Sequence, residues 1–494
     1  MATLTRWLFG DQLGPHFLDD GQQPVLLVES RAVFERRAFH RAKAHLVLSA
    51  MRHRAAELGD RATYIRADTY GEALDQVSGP LEVVHPTSRA ALGLVQRNAD
   101  RVALLPARGF VTSTDDFVSW ASGRGGGRLR LADFYRDARR RTGVLMDGGE
   151  PAGGRWSFDT DNREPPPKGA ATLGAPEPWW PVEDDIDAEV RFDLDRWQAD
   201  GLELAGRDGP RRFAASRAEG TSALEAFVQH RLGLFGPYED AMLTADPWLA
   251  HSLLSAPMNL GLVDPWEAIR AAERAYRQGI APISSVEGFI HQILGWRDFM
   301  WHMYWWLPED YRASNALNAT AALPKWFTSL DVDAVEARCL RSALEHVRDH
   351  GWAHHIERLM VLGNWGLQRG YDPAALTDWF HRLFVDGYDW VMLTNVVGMS
   401  QYADGGLVAT KPYAGGGAYI NRMSDHCGPC RYRPTVRTGG DACPFTAGYW
   451  AFLDRNGDAL RHNHRMTQPL AGLRRLADRE AVVAQELARR DAPP

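Results

Sequence analysis

The apolar residues of this chain change their period once, and no single layer architecture accommodates both halves. Over residues 1–120, short apolar runs alternate with helically spaced stretches, the rhythm that builds βαβ units and a parallel sheet. The runs 4–9, 25–28, 81–84 and 102–105 are the expected strands. A long helix opened by Ser30 is expected between the second of them and Tyr64, carrying Val33, Phe34, His40, Leu46, Met51 and Leu58. From about residue 216 the spacing is helical throughout, and Ser222-x-x-Glu225 and Ser284-x-x-Glu287 read as capping boxes. The stretch between them has weaker periodicity, glycine clusters and the run Pro165-Pro166-Pro167, the marks of a connection. The expected organisation is an α/β domain over 1–120 with a Rossmann-like parallel sheet, a long linker over 121–215 and an all-α domain over 216–494.

Composition narrows the function. Four cysteines among 494 residues cannot be a secreted disulfide framework, and no signal segment is recognisable, so a reducing cytoplasmic setting is expected. No apolar run reaches the length of a membrane span. With 56 basic against 63 acidic residues the net charge is −7, so a nucleic-acid partner must be met by a local basic patch. Gly10-Asp11-Gln12-Leu13-Gly14 after the first strand is not the G-x-G-x-x-G of a dinucleotide site, which disfavours NAD. Of 18 tryptophans, 11 fall between positions 248 and 390, placing whatever they serve in the helical half.

All four cysteines lie in that half too: Cys339, then Cys427-Gly428-Pro429-Cys430, then Cys443 followed by Pro444. Zinc and iron-sulfur clusters both take four thiolates, and the Cys-Pro ending tilts the choice toward [4Fe-4S]. A structural zinc, or a redox C-x-x-C with two bystander thiols, is the alternative.

With this spacing the chain resembles the iron-sulfur bacterial photolyases of the cryptochrome/photolyase family. The resemblance runs through Gly10-Asp11-Gln12-Leu13, Ser49-Ala50-Met51-Arg52, Gly153-Gly154-Arg155-Trp156 and His251-Ser252-Leu253-Leu254-Ser255. It continues in Glu287-Gly288-Phe289-Ile290, Gly295-Trp296-Arg297, Ala353-His354-His355-Ile356, Gly398-Met399-Ser400-Gln401 and Thr410-Lys411-Pro412-Tyr413. It implies an antenna domain followed by a helical domain that holds FAD and repairs pyrimidine (6-4) photoproducts in UV-damaged DNA under blue light. By the same resemblance, Ser252, Leu253, Ser255, Gln292, Trp296, Arg297, Asn364 and Asn395 contact FAD, and the four cysteines hold the cluster.

Photolyases take damaged bases out of the stack. Repair of a (6-4) lesion also moves a proton, for which histidine is suited near neutrality. His354 and His355 resemble the family's active-site pair. Neighbours on a helix point about 100° apart, so we expect His355 to donate the proton and His354 to sit as a hydrogen-bonded structural partner. Tyr413 and Tyr419, in a glycine-rich stretch, match tyrosines expected at the lesion. Trp379 matches an electron-relay position, followed by Phe380 where relatives often carry tyrosine; Trp326, Phe327 and Trp390 are further relay candidates. Met392 stands where relatives tend to have glutamate near the flavin. A lumazine-type antenna chromophore is doubtful, because the matching position is Val33, with Glu35 nearby.

From Lys411 to Cys443 there are five basic residues, Lys411, Arg422, Arg431, Arg433 and Arg437, against Asp425 and Asp441. We read Lys411, Arg422, Arg431 and Arg433 as the phosphate-gripping patch of a monomeric lyase. The alternatives are a cryptochrome-like light sensor with the same cofactors, and a light-independent iron-sulfur DNA-binding module.

Overall fold

The structure, a computed structural model, describes residues 4–494. Strands β1 (Thr5–Leu8), β2 (Val25–Ser30), β3 (Ala62–Ala67), β4 (Leu81–Val84) and β5 (Val102–Leu105) form a parallel sheet in the order β3-β2-β1-β4-β5. Trp7 of β1 pairs with Leu26 on one side and Val83 on the other. β1, β2 and β4 are buried on both faces, so they read in sequence as continuous apolar runs.

The edge strand β3 went unread because its residues are half-exposed and include Thr63 and Arg66. The expected long helix is broken into α1 (Arg31–Glu35) and α2 (Arg41–Leu58). The break has a tertiary cause. The His40 amide donates to the Arg382 carbonyl at 2.9 Å and the Arg41 amide to Ala205, while Nδ1 of His40 caps α2 by accepting from the Ala42 amide at 3.0 Å. Neither expected capping box forms. Ser222 lies inside the helix Arg217–His230, which is capped by Ser216, and Ser284 lies inside the helix Ile283–Ile290, whose Glu287 accepts from the Phe158 amide.

The stretch 121–215 carries the helices Leu131–Thr142 and Asp185–Ala199. The second of these packs Val190, Leu194 and Trp197 against Phe34, Phe39, Ala44 and Leu48 of the sheet half. All the regular elements beyond are helices, joined by loops that carry only isolated bridges. Three wide π-helical turns, His291–Arg297, Glu357–Gly363 and Leu393–Ser400, interrupt it, a distortion frequent at functional sites. No helix among the described residues is long and apolar enough to cross a membrane.

Candidate active site

All three π-helical turns contribute to the wall of one cavity of about 320 Å³. Ser252, Leu253, Ser255, Gln292, Trp296, Arg297, Asn395, Trp390, His354 and His355 line it, gathered from segments up to 143 residues apart only by the fold. Asn364 does not: its amide is spent on Gly415, donating to the carbonyl at 2.8 Å and accepting from the amide at 3.1 Å. It therefore pins the glycine-rich segment that precedes Tyr419. Trp379 is also outside the lining, buried behind Phe380 at 5.0 Å and stacked on Phe327 at 4.6 Å, while Phe380 itself meets the cavity.

Two charged lining residues, Arg358 and Asp386, escaped the sequence reading. Arg358 grips Asp386 with two bonds of 2.9 and 3.0 Å, and the Ser255 hydroxyl donates to the same carboxylate at 2.6 Å. An arginine and an aspartate 28 residues apart carry no motif; only the approach of the turn after the helix Pro373–Leu383 to the π-helical turn Glu357–Gly363 creates the pair. Leu253 sits at φ +57°, a left-handed conformation that costs a branched residue energy and clusters at functional sites.

The walls are mostly apolar and aromatic. Arg297 lies 4.4 Å from the ring centre of Phe110 and 5.3 Å from that of Trp390, and burial pulls its pKa down to about 10. Within this shell the polar atoms Asn395 Oδ1, Arg297 Nε, His251 Nε2 and His354 Nδ1 are buried without hydrogen-bond partners. Each such atom costs about 1–3 kcal/mol. An apolar aromatic cavity with a few convergent unpaired polar groups fits an aromatic cofactor or flipped base that supplies the missing partners.

The two adjacent histidines face different surroundings. His354 is 2 % exposed and stacks on His251 at 4.7 Å, and burial holds both rings well below their ordinary pKa, hence neutral. The side chain of His355 is 46 % exposed, with Nε2 3.2 Å from Asp240. Burial, then Asp240, holds the Tyr419 phenol above its ordinary pKa, and burial raises that of Tyr413. Asp240 thus faces both His355 and Tyr419.

All four cysteines line a second, smaller cavity with His426, Tyr432 and Phe445. A side chain at Gly417 would place its Cβ 2.7 Å from the Cys443 sulfur, so glycine leaves that room. Burial and then the other three sulfurs push the Cys339 thiol well up, and burial first pushes Cys427 to about 12. Four sulfurs converging on one small pocket, two of them buried and two half-buried, are a donor set that a cationic centre would neutralise. The basic patch is weaker than its sequence suggests. Arg431 pairs with Glu336, Arg433 with Asp441 at 3.4 Å and Arg437 with Asp478 at 3.0 Å, leaving Lys411 and Arg422 without an ion pair among the described residues. Near the antenna position, Glu35 is bound to Arg31 at 3.0 Å and Val33 packs beside Phe34 and Phe39.

The family model for deoxyribodipyrimidine photo-lyase-related proteins matches residues 6–202. The crystal structures of a bacterial class III photolyase from Agrobacterium tumefaciens and of the Synechocystis sp. PCC6803 cryptochrome share the fold, each with a TM-score of 0.54. The first is 16% identical, covering 85% of this chain and 86% of its own; the second is 14% identical, covering 99% and 95%. Against the (6-4) photolyase of Agrobacterium fabrum the identity is 40% over 496 residues, 95% of each protein. Similarity of that degree over nearly the whole length places the chain in the photolyase family to which this (6-4) photolyase belongs.

Proposed function

We propose that this protein is a light-driven DNA-repair lyase acting on pyrimidine (6-4) photoproducts, with FAD in the larger cavity and a [4Fe-4S] cluster at Cys339, Cys427, Cys430 and Cys443. The observation that carries the reading is the aromatic cavity with unpaired buried polar atoms, in a chain 40% identical to a (6-4) photolyase. Residues 1–120 act as antenna unit, 121–215 as linker and 216–494 as catalytic unit of a cytoplasmic monomer. FAD held there would supply, on absorbing blue light, the electron that repair of the lesion needs.

The chain's own groups do the rest. Ser252, Leu253 and Ser255 hold the cofactor's polar chain; Gln292, Trp296, Arg297 and Asn395 bound its rings. Asn364 serves indirectly, through Gly415. His355 is the proton donor at the mouth, oriented by Asp240, and Tyr413 and Tyr419 flank the flipped bases. Lys411 and Arg422 meet the DNA phosphates, with Arg431 and Arg433 exchanging their carboxylate partners for phosphate. Electrons enter along the aromatic file of Phe380, Trp379, Phe327 and Trp326, whose successive ring centres lie 5.0, 4.6 and 5.7 Å apart. A photoreceptor role is the second reading, favoured by Met392, an apolar side chain on the cavity wall.

Blue-light repair of oligonucleotides carrying a (6-4) photoproduct or a cyclobutane dimer is the test. Conversion of the (6-4) lesion is expected, and His355→Ala is expected to abolish it while the flavin content stays at the wild-type level. Flavin-loaded protein that repairs neither lesion would replace repair with signalling.

A further inference from the structure

Behind the cavity wall lies a buried carboxylate that no step above uses. Glu357, the first residue of a π-helical turn, is 2 % exposed. Its Oε2 lies 3.1 Å from Nδ1 of His346 and 3.7 Å from Nε2 of His354. One oxygen therefore faces two imidazoles. His354 lines the cavity, and its own Nδ1 is buried with no partner. His346 sits on the helix Arg338–His350 and is not part of the cavity lining.

A buried carboxylate is costly unless a positive charge meets it, so the trio keeps one proton between two rings. The surrounding charges decide where that proton rests. Burial alone would discharge His346, but Glu357, Glu345 and Asp349 outweigh it and keep its pKa above the ordinary value. At His354, burial is reinforced by His251, His355, His346 and Arg358, and the ring is neutral. His350 and His426 also stand within the electrostatic reach of His346.

We propose that Glu357 is a positioning residue that links His346 to His354 as a proton relay, reloading the cavity from behind while His355 serves its mouth. The inference rests on the reading of the cavity as a light-driven repair site. At rest His346 carries a proton on both nitrogens, Glu357 is ionised and His354 is neutral with hydrogen on Nδ1. When the substrate in the cavity gains its electron, the Nδ1–H bond of His354 breaks and that proton goes to the substrate. In the same movement the Nδ1–H bond of His346 breaks and its proton passes by way of the Glu357 carboxylate, where an O–H bond forms and breaks, to Nε2 of His354, so that this ring gains one proton as it gives up the other and is never left as an imidazolate. One positive charge leaves His346 and one negative charge on the substrate is neutralised; the relay itself oxidises and reduces nothing. His346 regains its proton from solvent.

The holoprotein is assayed for blue-light repair of a (6-4) oligonucleotide across pH and in heavy water, as wild type, Glu357→Gln, Glu357→Asp and His346→Gln. Glu357→Gln is expected to keep its flavin and repair about 100-fold more slowly, at the lower end of the range general acid–base groups contribute. Its activity should also fail at lower pH on the alkaline side, because His346 loses its proton earlier. Glu357→Asp should recover most of the rate, and His346→Gln should reproduce the slow phenotype with a diminished solvent isotope effect. A wild-type rate and pH profile in Glu357→Gln would overturn the relay. Should that variant lose its flavin, NMR of labelled histidines in the wild type decides. His346 charged and His354 neutral at neutral pH supports the relay, and both neutral overturns it. A wild type that binds flavin yet repairs no lesion overturns the repair reading instead, and the same NMR pattern still tests the shared proton.

Discussion

The sheet and the helical half each present the place where a fold of its class takes a ligand, and the two have opposite fates. In an open parallel sheet that place is the crevice beyond the strand ends where the order reverses, here between β1 and β4. There the chain spends most of its polar atoms on itself, the indole nitrogen of the covering Trp305 being the exception. Gln12 donates to the carbonyls of Val84 at 3.0 Å and His85 at 3.3 Å and accepts from the Phe9 amide, while the Thr87 hydroxyl bonds Asp11. His85 is covered by Trp305 of the helical half at 4.7 Å. The helical cavity does the reverse, leaving Asn395, Arg297, His251 and His354 with buried atoms unpaired. What separates a filled crevice from a binding site is therefore the number of polar atoms left without partners, not the concavity.

Breaking each site should give different signatures. The largest effect is expected at the cavity. Arg358→Met leaves Asp386 buried without its counter-charge, a loss of about 3–5 kcal/mol for a broken buried pair, and Asp386 stands in the lining beside Ser255. Chemical denaturation should show the destabilisation and absorption spectroscopy a loss of flavin; a variant of unchanged flavin content would mean Asp386 does not shape the site. At the crevice, Gln12→Leu removes one side chain's bonds and orphans the Val84 and His85 carbonyls, a cost of about 1–3 kcal/mol. Flavin content should be unaffected. Flavin loss in Gln12→Leu would show that the two sites are not independent.

The same contrast explains what was legible in the sequence. The central strands stand where continuous apolar runs place them, because burial on both faces imposes a composition. β3 was hidden because an edge strand may carry Thr63 and Arg66 without penalty. The break at His40 is written in partners from residues 205 and 382, beyond any local window. Ser216-x-x-Glu219 was the true helix start, yet Glu219 spends its carboxylate on Arg211 and the Ala215 amide. The cavity residues were named by family resemblance alone. π-Helical turns have no composition of their own, and Arg358, Asp386 and Glu357 gain their meaning from contacts. The basic stretch misled in the same way, since Glu336 and Asp478, which neutralise two of its arginines, lie outside it.

Lys43 joins the two regions; its substitution gives the smallest effect near neutrality, and the pH dependence of that effect is the diagnostic. It rises from α2 of the sheet half, between the rings of Phe39 and Tyr388, and donates to the carbonyls of His381 and Gly387, next to Asp386 of the cavity wall. Burial, against the partial opposition of Asp386 and Asp378 and with the help of Arg37, drives its pKa from 10.5 down to about 7. Between those values the unfolded chain holds a proton that the folded chain has released. Stability must therefore rise with pH across that window, by about 1.4 kcal/mol per pH unit from this group. Below about 7 both states are protonated and the contribution is constant. Lys43→Met keeps the length of the stem and removes the titration. Near neutrality the two proteins should unfold within about 1–2 kcal/mol of each other, the lost carbonyl bonds offsetting the relieved charge. The wild type should then gain on the variant steadily as the pH is raised toward 10.5. A difference in unfolding free energy that stays flat over this range would mean that Lys43 remains charged in the folded protein. In that case Asp386 is shared between Lys43 and Arg358, and the sheet half would help set the charge of the cavity wall.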